Sequence, residues 1–170
     1  NRGGAIFNAG GSPTIRNCVI RANRASWKGG GLANESSASP RILNCTFTRN
    51  VAGYYGGAIS TDAGSARIEN CTFWQNRAVT YDGGAVFDQN HSGSTFTNCT
   101  FYENSASATN GLGGAIRSKY YSRPTLLNCI CRYNSAYYNV GEQLSGEFSS
   151  VDHCVVMGGW ASGTNILNQD

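Results

Sequence analysis

The chain of 170 residues has little charge, few prolines and no long apolar run. Charged residues make up 14%, and the eleven arginines are scattered singly, so the concentrated positive stripe of a nucleic-acid-binding surface is absent. No apolar segment approaches the roughly 20 residues of a membrane helix, and apolar residues nowhere follow helical spacing. We therefore expect no nucleic-acid partner, no membrane span in this segment and no helical domain.

An Asn-Cys pair recurs along the chain instead. The five copies and a sixth, altered one are Asn17-Cys18, Asn44-Cys45, Asn70-Cys71, Asn98-Cys99, Asn128-Cys129 and His153-Cys154. The cysteines are spaced by 27, 26, 28, 30 and 25 residues, which indicates that one structural unit of that length is stacked repeatedly.

Each repeat contains three short segments in which apolar and polar residues alternate. The first is Gly-Gly-Ala-Ile or a variant of it, at residues 3–6, 29–32, 56–59, 83–86, 113–116 and, in degenerate form, 141–144. The second has an apolar residue two before the Asn, and the third has one two after the Cys. Alternation predicts strands with one buried face. Three such strands, separated by Gly, Asn and Ser, predict one turn of a right-handed parallel β-helix. The six repeats then predict about six coils.

This all-β architecture assigns structural roles to the asparagines and cysteines of the repeat. Asn tolerates the left-handed conformation of a sharp corner, and its amide can bond to the amide of the next coil, so we expect a ladder of Asn17, Asn44, Asn70, Asn98 and Asn128. The matching cysteines, with Cys154, are expected to stack inward as reduced thiols. Disulfides between adjacent coils are the alternative. The cysteines are not accompanied by a Cys-x-x-Cys pair or by a histidine partner, so the sequence does not indicate a metal site.

The pairing of Gly-Gly-Ala-Ile with Phe-x-x-Asn resembles the repeats of the chlamydial polymorphic outer membrane proteins. It is also similar to the bacterial right-handed parallel β-helix repeat proteins of planctomycetes, with their GGAI…PTLxNCTFxxNxA units. Five units match, at residues 3–23, 29–50, 56–76, 83–104 and 113–134. The resemblance implies one β-helix domain over residues 1–170, part of a longer array, with residues 155–170 closing it. Since relatives are adhesins, scaffolds or polysaccharide lyases and hydrolases, it does not choose a function.

Two outward-facing groups are candidates for chemistry. After the first segment, Glu35, Asp62 and Asp88 are expected at nearly the same place in three successive coils, followed by Arg117 and Lys119. Pectate-lyase-like enzymes hold calcium on such an acidic face and use an Arg or Lys as base. The alternative is a solvated strand end with mixed charges.

The second group is aromatic. Trp74 and Tyr102 follow the inward Phe of the third segment, while Trp27, Tyr55 and Tyr81 lie in loops before the Gly-Gly pairs. Exposed rings at strand spacing can stack on sugars or anchor a protein. The alternative is that they lie flat and cover neighbouring turns.

The functional hypothesis is a non-catalytic structural or adhesive module at the extracellular or bacterial cell surface. It has no cofactor, and its partner is a glycan or a host or neighbouring surface protein. End-to-end self-association through open strand edges is a further expectation. The alternative is a carbohydrate-binding or polysaccharide-active β-helix that uses the charged face, with Ca²⁺ as cofactor.

Overall fold

A computed structural model describes residues 1–107, 109, 111–137, 143–158 and 167–169. Its strands form four parallel sheets in which each strand pairs with its counterpart from the next coil. The described part of the chain contains no helix that could serve as a membrane span. The chain is thus a parallel β-solenoid, as the repeat predicted.

The first two sheets arise from the Gly-Gly-Ala-Ile segment and the segment before the Asn-Cys pair. The first contains β1 (Ile6–Ala9), β5 (Leu32–Glu35), β9 (Ile59–Asp62), β13 (Val86–Gln89), β17 (Ile116–Lys119) and β21 (Leu144–Ser145). The second contains β2 (Thr14–Arg16), β6 (Arg41–Leu43), β10 (Arg67–Glu69), β14 (Thr95–Thr97), β18 (Thr125–Leu127) and β22 (Ser150–Asp152).

The third and fourth sheets follow the Asn-Cys pair. The third contains β3 (Val19–Arg21), β7 (Thr46–Thr48), β11 (Thr72–Trp74), β15 (Thr100–Tyr102), β19 (Ile130–Arg132), β23 (Val155–Met157) and β24 (Leu167–Gln169). The fourth contains β4 (Arg24–Ala25), β8 (Val51–Ala52), β12 (Arg77–Ala78), β16 (Ser105–Ala106) and β20 (Ser135–Ala136). The fourth sheet was not predicted, because strands of two residues are too short to show a period.

The core is a set of columns of like side chains. Phe47, Phe73 and Phe101 are fully buried and stack face to face, with ring centroids 5.1 and 4.7 Å apart. Six of the seven cysteines are buried, Cys18 is exposed, and all seven are free. Since the parallel register puts equivalent residues side by side, each coil adds its apolar side chains to the columns of its neighbours, and stability comes mainly from contacts between coils.

Two asparagine ladders run along the solenoid. In the predicted, exposed ladder each side-chain amide donates to the Oδ1 of the preceding coil, as from Asn44 to Asn17 at 3.2 Å and from Asn98 to Asn70 at 3.0 Å. These residues have left-handed backbones, with φ between 51° and 56°. The second ladder is buried and contains Asn50, Asn76, Asn104 and Asn134. Its amides donate to backbone carbonyls of the third sheet, as from Asn76 to Phe47 at 2.9 Å, and its oxygens accept backbone N–H groups at the corner after that sheet, as from Asn50 at 3.0 Å.

The Gly-Gly pair marks a close approach between coils. The first glycine is left-handed, with φ of +64° at Gly56. A Cβ on the second, Gly57, would lie 2.2 Å from the carbonyl oxygen of Gly84 in the next coil. Only glycine fits there, which is a physical reason for the repeat of this pair. The predicted closing segment, residues 155–170, begins with β23, but its residues 159–166 and 170 lie outside the described residues.

Candidate functional site

The outer face of the first sheet does not carry the predicted acidic row. In the observed register Asp62 lies beside Gln89, whereas Asp88 lies beside Thr61 and Ser118. Asp88 is therefore one position out of step with Asp62, and because strand side chains alternate, it points to the opposite face. The prediction that Asp88 shares an outward row with Glu35 and Asp62 is wrong.

Asp88 is instead a fully buried structural acid at the corner between the first and second sheets. Its carboxylate accepts hydrogen bonds from the backbone N–H of Ser94 at 3.3 Å and from the Ser94 hydroxyl at 3.1 Å. Burial raises its pKa to about 6, although the Ser94 hydrogen bonds act in the opposite direction. In the equivalent column, earlier coils carry Asn8, Asn34 and Thr61, so a polar side chain at this position is a shared feature.

A second column covers the outer face of the first sheet. Its members are the residues immediately before the first four Gly-Gly pairs, and each one contacts the first-sheet strand of the following coil. The contacts are Arg2 Nη1 to Glu35 Oε2 at 2.6 Å, Lys28 Nζ to Asp62 Oδ2 at 2.9 Å, the Tyr55 ring on Phe87 at 4.5 Å, and Asp82 Oδ2 to Arg117 Nε at 3.8 Å and to Lys119 Nζ at 3.6 Å. We call these residues the covering column.

The covering column pairs the charges that the sequence suggested for catalysis. Burial raises the pKa of Asp62, but hydrogen bonds from Lys28, Asn90 and Gln89 outweigh this and hold the pKa below its ordinary value. Arg117 and Lys119 share Asp82, which is itself buried. Among the described residues, no three His, Cys, Asp or Glu side chains come together in an arrangement able to hold a metal ion.

Sequence reasoning missed Lys28 and Asp82 as partners of this face. The available signal was their fixed position directly before Gly29 and Gly83, which places them in one column with Arg2 and Tyr55. Their chemical variety hid the relationship, since one column contains two cations, a ring and an acid. Only the diagonal contact with the next coil shows that they act alike.

The predicted aromatic group divides into two separate patches. Trp27, Tyr55 and Tyr81 lie at the loop before the Gly-Gly pairs and pack on one another with Tyr54. Tyr55 stacks on Tyr81 at 5.3 Å and on the buried Phe87 at 4.5 Å. These rings pack on neighbouring turns, while Trp27 and Tyr81 stay 41% and 39% exposed, so this patch combines features of both interpretations open from sequence.

Trp74 and Tyr102 lie elsewhere, side by side in register on the outer face of the third sheet. Each is 36% exposed. A parallel column of hydroxyls, Thr46, Thr72 and Thr100, occupies the neighbouring outward position of the same strands. The exposed asparagine ladder borders this column, so rings, hydroxyls and amides form adjacent rows at the coil spacing of about 4.8 Å.

Polar contacts fix the Trp74 ring in place. The indole Nε1 donates to Glu103 Oε2 at 3.2 Å, and the guanidinium carbon of Arg49 lies 5.2 Å from the ring centroid. Gln75 joins the two charged groups, donating to Glu103 at 2.9 Å and accepting from Arg49 Nε at 3.0 Å. The ring is therefore held before any ligand arrives, which lowers the entropic cost of binding.

The rings and hydroxyls line a shallow groove of about 360 Å³. Its lining residues are Thr46, Thr72, Thr100, Trp74, Tyr102 and Glu103. A sugar ring has apolar C–H faces and a polar edge. An aromatic ring beside hydroxyl groups can therefore contact both the apolar face and the polar edge of a sugar. We call the surface formed by these residues, together with the residues beside them on the third sheet, the threonine–aromatic face.

Comparison with known families agrees with this architecture. The family model described as the right handed beta helix region matches residues 3–170. No curated protein and no solved structure is significantly similar to the chain. The match covers nearly the whole chain and accords with the in-register parallel sheets. The protein therefore belongs to the right-handed β-helix family.

Proposed function

We propose that this protein is a non-catalytic display module that binds an extended glycan on the threonine–aromatic face. The observation that carries the proposal is the register of Trp74 and Tyr102, two partly exposed rings on adjacent coils beside a hydroxyl column. A rigid solenoid presents such rows without a conformational cost on binding, and a repeating ligand can use the repeating surface. The sequence resemblance of its repeats to those of outer membrane and extracellular proteins supports an extracellular or bacterial cell-surface location.

A catalytic role on the first-sheet face has less support. Asp88 lies inside the solenoid, while Glu35 and Asp62 are each paired with a cation. A lyase needs carboxylates open to calcium and a base open to substrate. The pairing with the covering column favours a structural role for these charges.

The proposal is tested by affinity electrophoresis and calorimetry of the chain against a panel of soluble polysaccharides. Trp74→Ala and Tyr102→Ala should each weaken binding about 3- to 10-fold, because a stacked ring pair contributes about 0.5–1.5 kcal/mol beyond its buried area. Tyr121→Ala is the matched control, since this ring is 78% exposed but lies at another corner. It should leave the affinity unchanged.

The same panel distinguishes the alternatives. Equal affinity for the wild type and both ring variants would remove the threonine–aromatic face as the site. A calcium-dependent rise in ultraviolet absorbance with a polyuronate would overturn the non-catalytic assignment, because it reports eliminative cleavage. Absence of binding to every glycan, together with capture of a surface protein that depends on Trp74, would replace the glycan with a protein partner.

A further inference from the structure

The outward column that contains the two rings also carries arginines. Along the paired strands the column runs Arg21, Thr48, Trp74, Tyr102 and Arg132. At about 4.8 Å per coil, Arg21 and Arg132 are about 19 Å apart, with the ring pair between them. A third guanidinium, that of Arg49, lies over Trp74.

These three arginines differ from most others in the chain. Five arginines form ion pairs with carboxylates, namely Arg2, Arg41, Arg67, Arg117 and Arg123. Within the described residues, no carboxylate lies within 4 Å of Arg21, Arg49 or Arg132. Their guanidinium groups therefore keep most of their capacity to bind an external anion.

Arg132 is the best-positioned of the three. Its side chain is half-buried, its guanidinium carbon lies 5.4 Å from the Tyr133 ring centroid, and its Nε is buried with no acceptor among the described residues. Tyr133 also packs edge-on against Tyr102 at 5.4 Å. The planar guanidinium is thus held next to the binding rings, and its fork of N–H donors matches the geometry of a carboxylate or sulfate.

The acidic side chain on this face does not cancel that charge. Glu103 is its one carboxylate among the described residues, and its two hydrogen bonds tie it to Gln75 and Trp74. These bonds lower its pKa. Three guanidinium groups facing one carboxylate leave the threonine–aromatic face positive, which complements an anionic ligand.

We infer that the glycan bound at this face is an anionic polysaccharide. Its sugar rings lie on Trp74 and Tyr102, and its carboxylate or sulfate groups bind Arg132, Arg21 and Arg49. The inference rests on the proposed function and adds the class of ligand to it. It involves no bond-making step and no metal.

The test compares polygalacturonate with its fully methyl-esterified form, which has the same backbone without the charge. The acid form should bind at least about tenfold more tightly, since a hydrogen bond to a charged group contributes about 1.5–3 kcal/mol. Arg132→Gln and Arg21→Gln should each reduce that preference about tenfold. Dextran sulfate in a parallel titration distinguishes sulfate from carboxylate as the preferred group.

The matched controls are Arg24→Gln and Arg77→Gln. Both arginines also lack a carboxylate within 4 Å among the described residues, but they lie on the fourth sheet. Each control removes the same unit of charge, so an equal loss of affinity in controls and test variants would show non-specific attraction and overturn the inference. Melting temperatures identify variants that fail to fold. Arg21 is exposed, so its variant carries the test if Arg132→Gln unfolds.

The two proposals fail in different ways. Equal binding of the acid and ester forms, with Trp74→Ala still weakening both, would overturn the anionic ligand and leave the glycan module standing. Absence of binding to any polysaccharide, charged or neutral, would remove both. Tighter binding of the acid form that is lost in Arg132→Gln, and retained in Arg24→Gln, supports both.

Discussion

Gln143 accepts two hydrogen bonds from Asn134 at its Oε1 atom, one from the side-chain amide at 2.7 Å and one from the backbone N–H at 3.3 Å. In the preceding coils an asparagine Oδ1 has this role, as when Asn134 accepts from both N–H groups of Asn104. The longer glutamine, from a different position of the repeat, reproduces the same bifurcated contact. It satisfies the donors of the buried ladder where the repeat becomes irregular.

Replacement of Gln143 by alanine should therefore destabilise the protein by about 1–3 kcal/mol, because it leaves the buried Asn134 donors without an acceptor. Urea unfolding measures the free energy. Gln75→Asn is the control, because it shortens a partly exposed glutamine that also accepts a hydrogen bond, and it should cost less than about 0.5 kcal/mol. Similar losses in the two variants would contradict the role of Gln143.

The two asparagine ladders should differ in energetic weight. Asn76→Ala removes two donated and two accepted buried hydrogen bonds and should cost about 3 kcal/mol or more. Asn70→Gly removes an exposed link while keeping the left-handed backbone and should cost about 1 kcal/mol or less. Denaturant titration of both variants tests this order, and a larger loss for Asn70→Gly would refute it.

The second glycine of each pair should tolerate no side chain. In Gly57→Ala the new Cβ would lie 2.2 Å from the Gly84 oxygen and 2.4 Å from the Arg77 nitrogen, both of them backbone atoms. The coils must move apart, so we expect a loss of more than about 3 kcal/mol. Gly93→Ala, with its closest contact at 3.6 Å, should change the stability by less than about 1 kcal/mol. Thermal unfolding of both variants tests the contrast, which an equally stable Gly57→Ala would exclude.

Asp88 should make the protein less stable as pH rises. Its pKa is about 6 in the folded state against an ordinary value of 3.8, because burial disfavours the charged form. The folded state therefore binds the proton more tightly, and the free energy of unfolding falls between about pH 4 and pH 6 and stays reduced above that range, by about 3 kcal/mol at most. Protonation at low pH restores this stability.

Asp88→Asn should remove that contribution. Asparagine matches the size of the aspartate and already occupies the same column at Asn8 and Asn34. We expect the variant to be more stable than wild type at pH 7 and to approach it near pH 4. Unfolding free energies measured across this range check the sign, and a variant less stable at pH 7 would show that the charge itself is needed by Ser94.

The cysteines should react in two classes. Cys18 is exposed, whereas the other six are buried, and burial raises the pKa of Cys71 to about 11 and that of Cys131 above its ordinary value. Because the thiolate is the reactive form, a disulfide reagent should modify one thiol rapidly in the folded protein and all seven after denaturation. Fewer than seven thiols in the denatured, unreduced protein would indicate disulfides between coils instead.

Much of the fold could be read from the repeat. The spacing of the cysteines and the alternation around Ile42, Ile68 and Phe96 predicted parallel strands stacked in register, and the fold class is confirmed by the sheets and by the family match. The fourth sheet was missed because two residues, such as Arg77–Ala78, carry no period. The Asn of the Phe-x-x-Asn unit, such as Asn76, also recurs in the sequence, but only the structure shows that this ladder is the buried one.

The candidate site was predicted only in part. That Trp74 and Tyr102 point outward follows from the strand alternation, because each comes one position after an inward phenylalanine. The error at Asp88 arose because a column requires an exact register, and a shift of one residue reverses the direction of a side chain. The division of the aromatic residues into two patches depended on which sheet each one borders, which linear order does not show.

By itself, then, the sequence determined the architecture, because a repeated pattern of strand-forming and turn-forming residues can bury its apolar face only by stacking like on like. The tertiary structure alone decided which charges meet. Lys28 binds Asp62 and Asp82 binds Arg117 across coils, while Arg21, Arg49 and Arg132 meet no carboxylate among the described residues. Such pairings depend on distances of a few ångströms between residues about 35 positions apart, and Coulomb attraction acts on those distances rather than on position along the chain.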